Sequence, residues 1–335
     1  MAIKITEVTR GDVVESAHYG NVVVTNSKGK ILAYAGDSEM QTYMRSAAKL
    51  FQALAIFKTG AYEKFQFTNK EMAIMCASHY GEDFHQEVIR GLLDKMGYTM
   101  EDLLCGKPLS IDEKVRMNQL LENHVLTQAN SDCSGKHCGF LADCKAMGWD
   151  HKTYDQPEHP LQQMVLQTLA DFADMDPEDF GISADGCGVP VHSMRLRNMA
   201  MAYARYANLK YAPSGYEKGC ETLFHAMNEE PEMLAGTGGF CTEFIKNTKG
   251  KYCGKLGAEA IYCIGVKDKD MGIVVKVADG NYRALYVAVM STLEQLGLLT
   301  EKEKESLKSF ERSPIFNHHG KQVGEIRPAF TLNFK

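Results

Sequence analysis

Residues 21–35, NVVVTNSKGKILAYA, predict a β-hairpin, since two runs rich in β-branched residues flank the turn-forming set Asn26, Ser27, Lys28 and Gly29. Beyond residue 45 the pattern changes to three- and four-residue spacing. The apolar run of RSAAKLFQALAIF (45–57), IDEKVRMNQLLENHVL (111–126) and HPLQQMVLQTLADFA (159–173) all read as helices. Pro190 opens PVHSMRLRNMAMAYARYAN and suits the first turn of a further helix. Near residue 235 the pattern changes again. GTGGF is a flexible loop, residues 251–280 read as three short strands with a turn at Lys267–Asp270, and 283–297 reads as a closing helix. The order predicts an α+β layered fold in one domain, 1–335. Strands at about 20–36 and 250–278 form one antiparallel sheet, and a helical region spans about 45–230.

Composition narrows the function classes. The 335 residues carry a net charge of -6 and no basic block, so nucleic acid and anionic membranes are not expected partners. The start, MAIKITEVTRGDVVES, lacks an apolar signal region, and no apolar run reaches the roughly 20 residues of a bilayer span. A cytoplasmic location follows as an expectation, with the 10 cysteines free or binding metal.

Three stretches carry chemistry. Ser46 and Lys49 share one helical face, and a desolvated lysine can take a serine's proton. The same letters also suit an ordinary helix start. In serine β-lactamases and penicillin-binding proteins such a pair is followed by a Ser-containing loop and a strand-borne Lys-Thr-Gly. Here Lys255 and Gly257 flank Leu256 in a strand region, and Ser78 in CASHYGE or Ser131 in the SDC stretch could supply the loop. NSDCSGKHCGFL and DGCGVP add Cys133, Lys136, His137, Cys138 and Cys187. Thiolate and imidazole favour zinc, and spacing alone selects Cys133, His137, Cys138 and Cys187, or else two cysteine loops that merely pack.

Together VTRGDVVESAHYGNVVV, RSAAK, CASHYGE, CSGKH, DGCGVP, KLGAEA and VGEIRP resemble the L-asparaginase II family, from about residue 6 to the C-terminal region. The resemblance implies a β-lactamase/transpeptidase-like fold and a homodimeric hydrolase converting L-asparagine to L-aspartate and ammonia. It implies two Ser-Lys pairs, Ser46 with Lys49 and Ser78 with Lys255. It further implies a zinc ion on Cys133, Lys136 and Cys187, leaving His137 and Cys138 aside. In this reading Lys49 deprotonates Ser46, which attacks the amide; Arg45, His79, Glu82 and Asp185 bind substrate, with Glu15 and His18 as further candidates. The chain departs from the family at Leu50, where Pro is usual, at Asp132, where Asn is usual, and in AGTGGFCTEF, which lacks an Arg. These changes bear on affinity and selectivity. The competing expectations are a β-lactamase-like esterase or amidase and an inactive metal-binding protein.

Overall fold

The computed structural model describes residues 1–335, which divide into two compact units. The first comprises Met1–Ala47, Met194–Tyr211 and Lys246–Lys335. It holds an antiparallel sheet of nine strands: β1 (Ile3–Arg10), β2 (Val13–Thr25), β3 (Ile31–Ala35), β4 (Tyr252–Gly257), β5 (Ile261–Val266), β6 (Met271–Val277), β7 (Ser313–Phe316), β8 (Gln322–Pro328) and β9 (Asn333–Phe334). The main order is β7-β8-β1-β2-β6-β5-β4, with β3 pairing β2 and β9. Long β2 meets β1 along its first half and both β3 and β6 along its second. Val22, Val23 and Val24 there are fully buried, which explains the unbroken apolar run.

The expected hairpin and the three strands of residues 251–280 are therefore found, and so is the antiparallel sheet joining both ends of the chain. Strand β1 escaped the pattern because it is bulged. Register shifts at Lys4/Thr6 and Val8/Thr9 bury neighbouring residues in pairs, which breaks the period of two. Pro190 is a correction: it heads the strand Pro190–Arg195, and the helix begins only at Leu196. A first strand position tolerates proline as well as a first helical turn does. The helix Leu196–Ala207 packs on β2, β5 and β6, and Tyr203 donates a hydrogen bond to Ala47 O at 2.7 Å. The helix Tyr282–Gln295 sets Val287 against Val8 of β1 and Ile326 of β8. Glu15 pairs with Arg10 at the surface. His18 is buried between Asp279 and Arg283: its Nε2 accepts from Arg283 Nε at 2.9 Å, so its proton sits on Nδ1, 2.6 Å from Asp279 Oδ2.

The second unit comprises Ala48–Ser193 and Ala212–Ile245 and is mainly helical. Its helix Ser134–Met147 is buried from Ser134 to Cys144 and packs against the helices Asn69–Met75, Asp83–Met96 and Ala55–Lys58. The helix Pro160–Ala173 starts as the sequence predicts, with Pro160 at its first turn and His159 accepting from Leu161 N. The helix within 111–126 is shorter than its pattern, Glu113–Leu121, and buries only Gln119. Met117, Leu120 and Leu121 face outward, so the apolar spacing there does not mark a core face. No helix is long and apolar enough to cross a membrane.

Asp143, in the helix Ser134–Met147, has 0% exposure. Burial pushes its carboxyl well above the usual range, partly opposed by Thr59, whose Oγ1 is 2.6 Å away. A protonated Asp143 can donate to that hydroxyl, which donates in turn to Ala55 O at 3.1 Å. Because the folded state holds this proton more tightly, the stabilising contribution is complete below the ordinary carboxylate pKa. It falls as pH rises towards the folded value, by about 1.4 kcal/mol per pH unit. Asp143→Asn keeps a donor for Thr59 and removes the titration. Urea denaturation between pH 5 and 8 should therefore show the wild type losing stability relative to the variant, and parallel curves would refute a buried neutral acid.

Candidate active site

The chain enters the second unit through a 3₁₀ turn, Arg45–Ala48, running into the short helix Lys49–Gln52. Lys49 is 1% exposed, and its amine is surrounded by oxygen. It lies 2.6 Å from Ala77 O, 3.0 Å from Ser78 Oγ, 3.0 Å from Asp132 O and 3.5 Å from Asp132 Oδ2. Burial opposes its charge, but Cys133 and Asp132 outweigh burial and raise its pKa. Carbonyl oxygens can only accept. A charged Lys49 gives its three N–H groups to Ala77, Ser78 and Asp132; a neutral one gives two to the carbonyls and turns its lone pair to the Ser78 hydroxyl.

Ser78 follows the helix Asn69–Met75, whose start is fixed by a capping box between Thr68 and Glu71. Its own N–H donates to Leu234 O at 3.0 Å, and Tyr80 N donates to Ala235 O at 2.7 Å. His79 beside it is fully buried, and burial with His85 and Lys49 nearby holds it well below the usual imidazole range. Its Nδ1 accepts from Gly81 N at 3.1 Å, so Nε2 carries the proton towards Ser134 Oγ at 2.9 Å. Both nitrogens are thus spent on holding the loop. Glu82 caps no backbone of its own helix; its Oε2 accepts from Thr237 N at 2.8 Å.

Arg45, Ser46 and Lys255 belong to the first unit. Arg45 has φ 50, an uncommon left-handed conformation for a side chain of this size, and Ser46 is half-buried after it. Lys255 is fully buried in β4, with its amine 2.8 Å from Leu256 O. Gly257 ends that strand where a Cβ would stand 2.5 Å from Met44 O and 3.3 Å from Ala47 N. The missing side chain lets β4 touch the turn that carries Ser46.

Cys133 precedes the buried helix Ser134–Met147, and Cys187 lies in the turn between Gly181–Ala184 and Pro190–Arg195. Asp185 closes that turn: its carbonyl accepts from Gly188 N at 2.9 Å and its carboxylate from Gly186 N at 2.8 Å. Lys136 Nζ is 2.9 Å from the Cys187 sulfur, and the Cys133 thiol lies 3.5 Å from Asp132 Oδ2. Cys133 nearby and the Lys136 ammonium overcome burial and depress the Cys187 pKa, while Cys187 and burial raise that of Cys133. Burial opposes the charge on Lys136, but Cys187 and Cys133 raise its pKa overall.

No group of three or more His, Cys, Asp or Glu side chains gathers around one point. This corrects the ligand set chosen on spacing. Cys138 points elsewhere on the helix, its thiol raised by burial and by Cys105. His137 Nδ1 is 2.6 Å from Tyr154 Oη, which accepts from Leu104 N at 2.8 Å. Its Nε2 is buried without a well-formed hydrogen bond, beside Cys187. Two thiols and this orphaned nitrogen are donor types that zinc takes, but they do not converge on one point, and Lys136 is held in its charged form, which has no lone pair to give. Nothing in the local sequence marks Tyr154, which lies 17 residues from His137. Asp132 was visible only as a departure from the family's usual residue.

Among curated proteins there is no match to this chain. Solved structures that resemble it include Mglu in its native form, with 12% identity and a TM-score of 0.39 over 84% of this chain and 65% of that one. The chain thus spans just under two thirds of the length of Mglu. Others are the D-alanine carboxypeptidase AmpC from Burkholderia cenocepacia, with 12% identity and a TM-score of 0.37 over 81% and 93%, and a beta-lactamase from Mycobacterium bovis, with 11% and 0.32 over 87% and 94%. The model of one family, described as L-asparaginase II, matches residues 6–328, nearly the whole length, and the chain therefore belongs to the L-asparaginase II family.

Proposed function

We propose that the protein is an L-asparagine amidohydrolase that works through a serine acyl-enzyme. The observation carrying this reading is the hydrogen bond between Lys49 Nζ and Ser78 Oγ at 3.0 Å, in a buried cradle of carbonyl oxygens. The family expectation pairs Ser46 with Lys49; hydrogen-bond geometry favours Ser78 as its partner. Lys49, whose charged form is favoured at rest, must first give a proton to the Asp132 carboxylate 3.5 Å away; the neutral amine then accepts the Ser78 proton, and Ser78 Oγ bonds to the side-chain amide carbon of asparagine. The tetrahedral oxyanion needs backbone N–H donors, each worth about 100- to 1000-fold in rate. Lys49 then passes its proton to the amide nitrogen as the C–N bond breaks and ammonia leaves. Water attacks the ester, gives a proton to Lys49, and aspartate departs as Ser78 recovers its hydrogen. Ser46 and Lys255 enter through the family resemblance, with Ser46 as the rival nucleophile.

Zinc remains part of the proposal. Cys133, Lys136 and Cys187 would hold it, with His137 alongside. When bound it would supply a fixed positive charge that orders the two cysteine loops. A homodimer is the proposed assembly, and sedimentation checks it.

Three outcomes are expected. The protein should release ammonia from L-asparagine, and Ser78→Ala should lower kcat by about 1000-fold or more; no release from L-asparagine, L-glutamine or D-asparagine would end the hydrolase reading. Mass spectrometry of enzyme quenched on a slow substrate should find the acyl adduct on the peptide containing Ser78, whereas an adduct on Ser46 would return the nucleophile to that residue. Elemental analysis should find zinc in the wild type and in Cys138→Ala but not in Cys187→Ala. Full occupancy in Cys187→Ala would refute the ligand set.

A further inference from the structure

Segments Ser78–Glu82 and Leu234–Thr237 lie side by side and are joined at three points. Ser78 N donates to Leu234 O at 3.0 Å and Tyr80 N to Ala235 O at 2.7 Å. The third bond differs in kind: Thr237 N donates at 2.8 Å to the carboxylate of Glu82. The helix Asp83–Met96 begins directly after Glu82, and its N-terminal end favours negative charge there. Yet the Glu82 side chain caps none of that helix's N–H groups, so its oxygen remains available to the neighbouring loop.

The loop is built for close approach. Gly236 has φ +140, and a Cβ on it would lie 2.3 Å from Glu82 Oε2 and 2.8 Å from the Tyr80 ring. Only glycine fits that conformation and that gap. A Cβ on Gly239 would lie 2.5 Å from Tyr80 Oη. One end of the loop is anchored by Gly236 N donating to Thr242 Oγ1 at 3.2 Å, and a turn closes from Gly239 N to Gly236 O, also at 3.2 Å. Thr237 and Gly238 are exposed. The two inner bonds are backbone to backbone and hold Ser78, whereas the outer one depends on a single side chain.

We infer that Glu82 is a positioning residue that latches the Gly236–Gly239 loop over Tyr80, beside Ser78, and thereby sets how tightly substrate is held there. The inference rests on the asparaginase reading for its kinetic consequence only. Losing the latch frees the loop tip but leaves the two inner bonds that place Ser78. Substrate retention therefore suffers more than the chemical step.

The test compares wild type, Glu82→Ala and Glu82→Gln. The Gln amide oxygen can still accept from Thr237 N, although the negative charge is gone. Hydrogen-exchange mass spectrometry of the ligand-free protein should show the peptide spanning 235–240 exchanging about tenfold faster in Glu82→Ala, and near wild-type rates in Glu82→Gln. With L-asparagine, KM should rise about tenfold in Glu82→Ala with a smaller fall in kcat, and Glu82→Gln should recover most of the loss. Unchanged loop exchange in Glu82→Ala overturns the latch. So does Glu82→Gln behaving like Glu82→Ala, because the residue would then act through its charge on the ligand. The exchange pattern without asparagine turnover by wild type would uphold the latch and reject the substrate instead.

Discussion

A buried amine needs oxygen around it, and at Lys49 that need organises the second unit. Two separate stretches of chain, at 77–78 and at 132, must arrive together to supply Ala77 O, Ser78 Oγ and Asp132 O. Leaving any of them out would strand a donor away from water at a cost of about 1–3 kcal/mol. The loop after the helix Asn69–Met75 and the turn before the helix Ser134–Met147 are therefore tied to one nitrogen. The Ser78 hydroxyl shares that nitrogen with two carbonyls that have no proton to give. The same constraint reaches the cysteines, since Asp132 precedes Cys133, and Lys136 follows one helical turn later.

The cysteine pair adds a second buried charge system close by. Cys187 has the Lys136 amine 2.9 Å from its sulfur, and Cys133, Lys136 and His137 together hold its pKa down. His137 cannot turn freely, because Tyr154 fixes its other nitrogen.

Elements that obey a single period were legible in the sequence. The hairpin at 21–35, the strands of 251–280 and the helix Pro160–Ala173 follow simple patterns and strong turn or cap signals. Bulged β1 and its neighbour β8 did not, because their side chains share burial unevenly, and β7 alternates over only four residues. Pro190 misled because one ring suits two element starts. At the site, motifs and the family resemblance pointed to Lys49, Cys133, Lys136 and Cys187, and the fold sets the Lys136 amine against the Cys187 sulfur. The pairing of Lys49 with Ser78 was not legible, since it depends on how a loop 29 residues away returns. Glu82 read as a pocket residue from its neighbourhood in CASHYGE, but its carboxylate is engaged by a loop some 155 positions on.

The sheet also orders events during synthesis. In β1, Thr6 pairs with Pro328, and the Thr9 hydroxyl reaches Glu325 O across 316 positions. When β1 and β2 leave the ribosome, they can form their own ladder, but the other edge of β1 has no strand to meet until β8 is made. Residues 48–193, rich in short-range helical contacts, emerge in the interval. The nascent chain therefore carries an open strand edge through most of its translation, a recognised site of unwanted pairing between chains. The bulges at Lys4/Thr6 and Val8/Thr9 twist that edge, so a feature that hid β1 from pattern reading also makes it a poorer template for a neighbouring polypeptide.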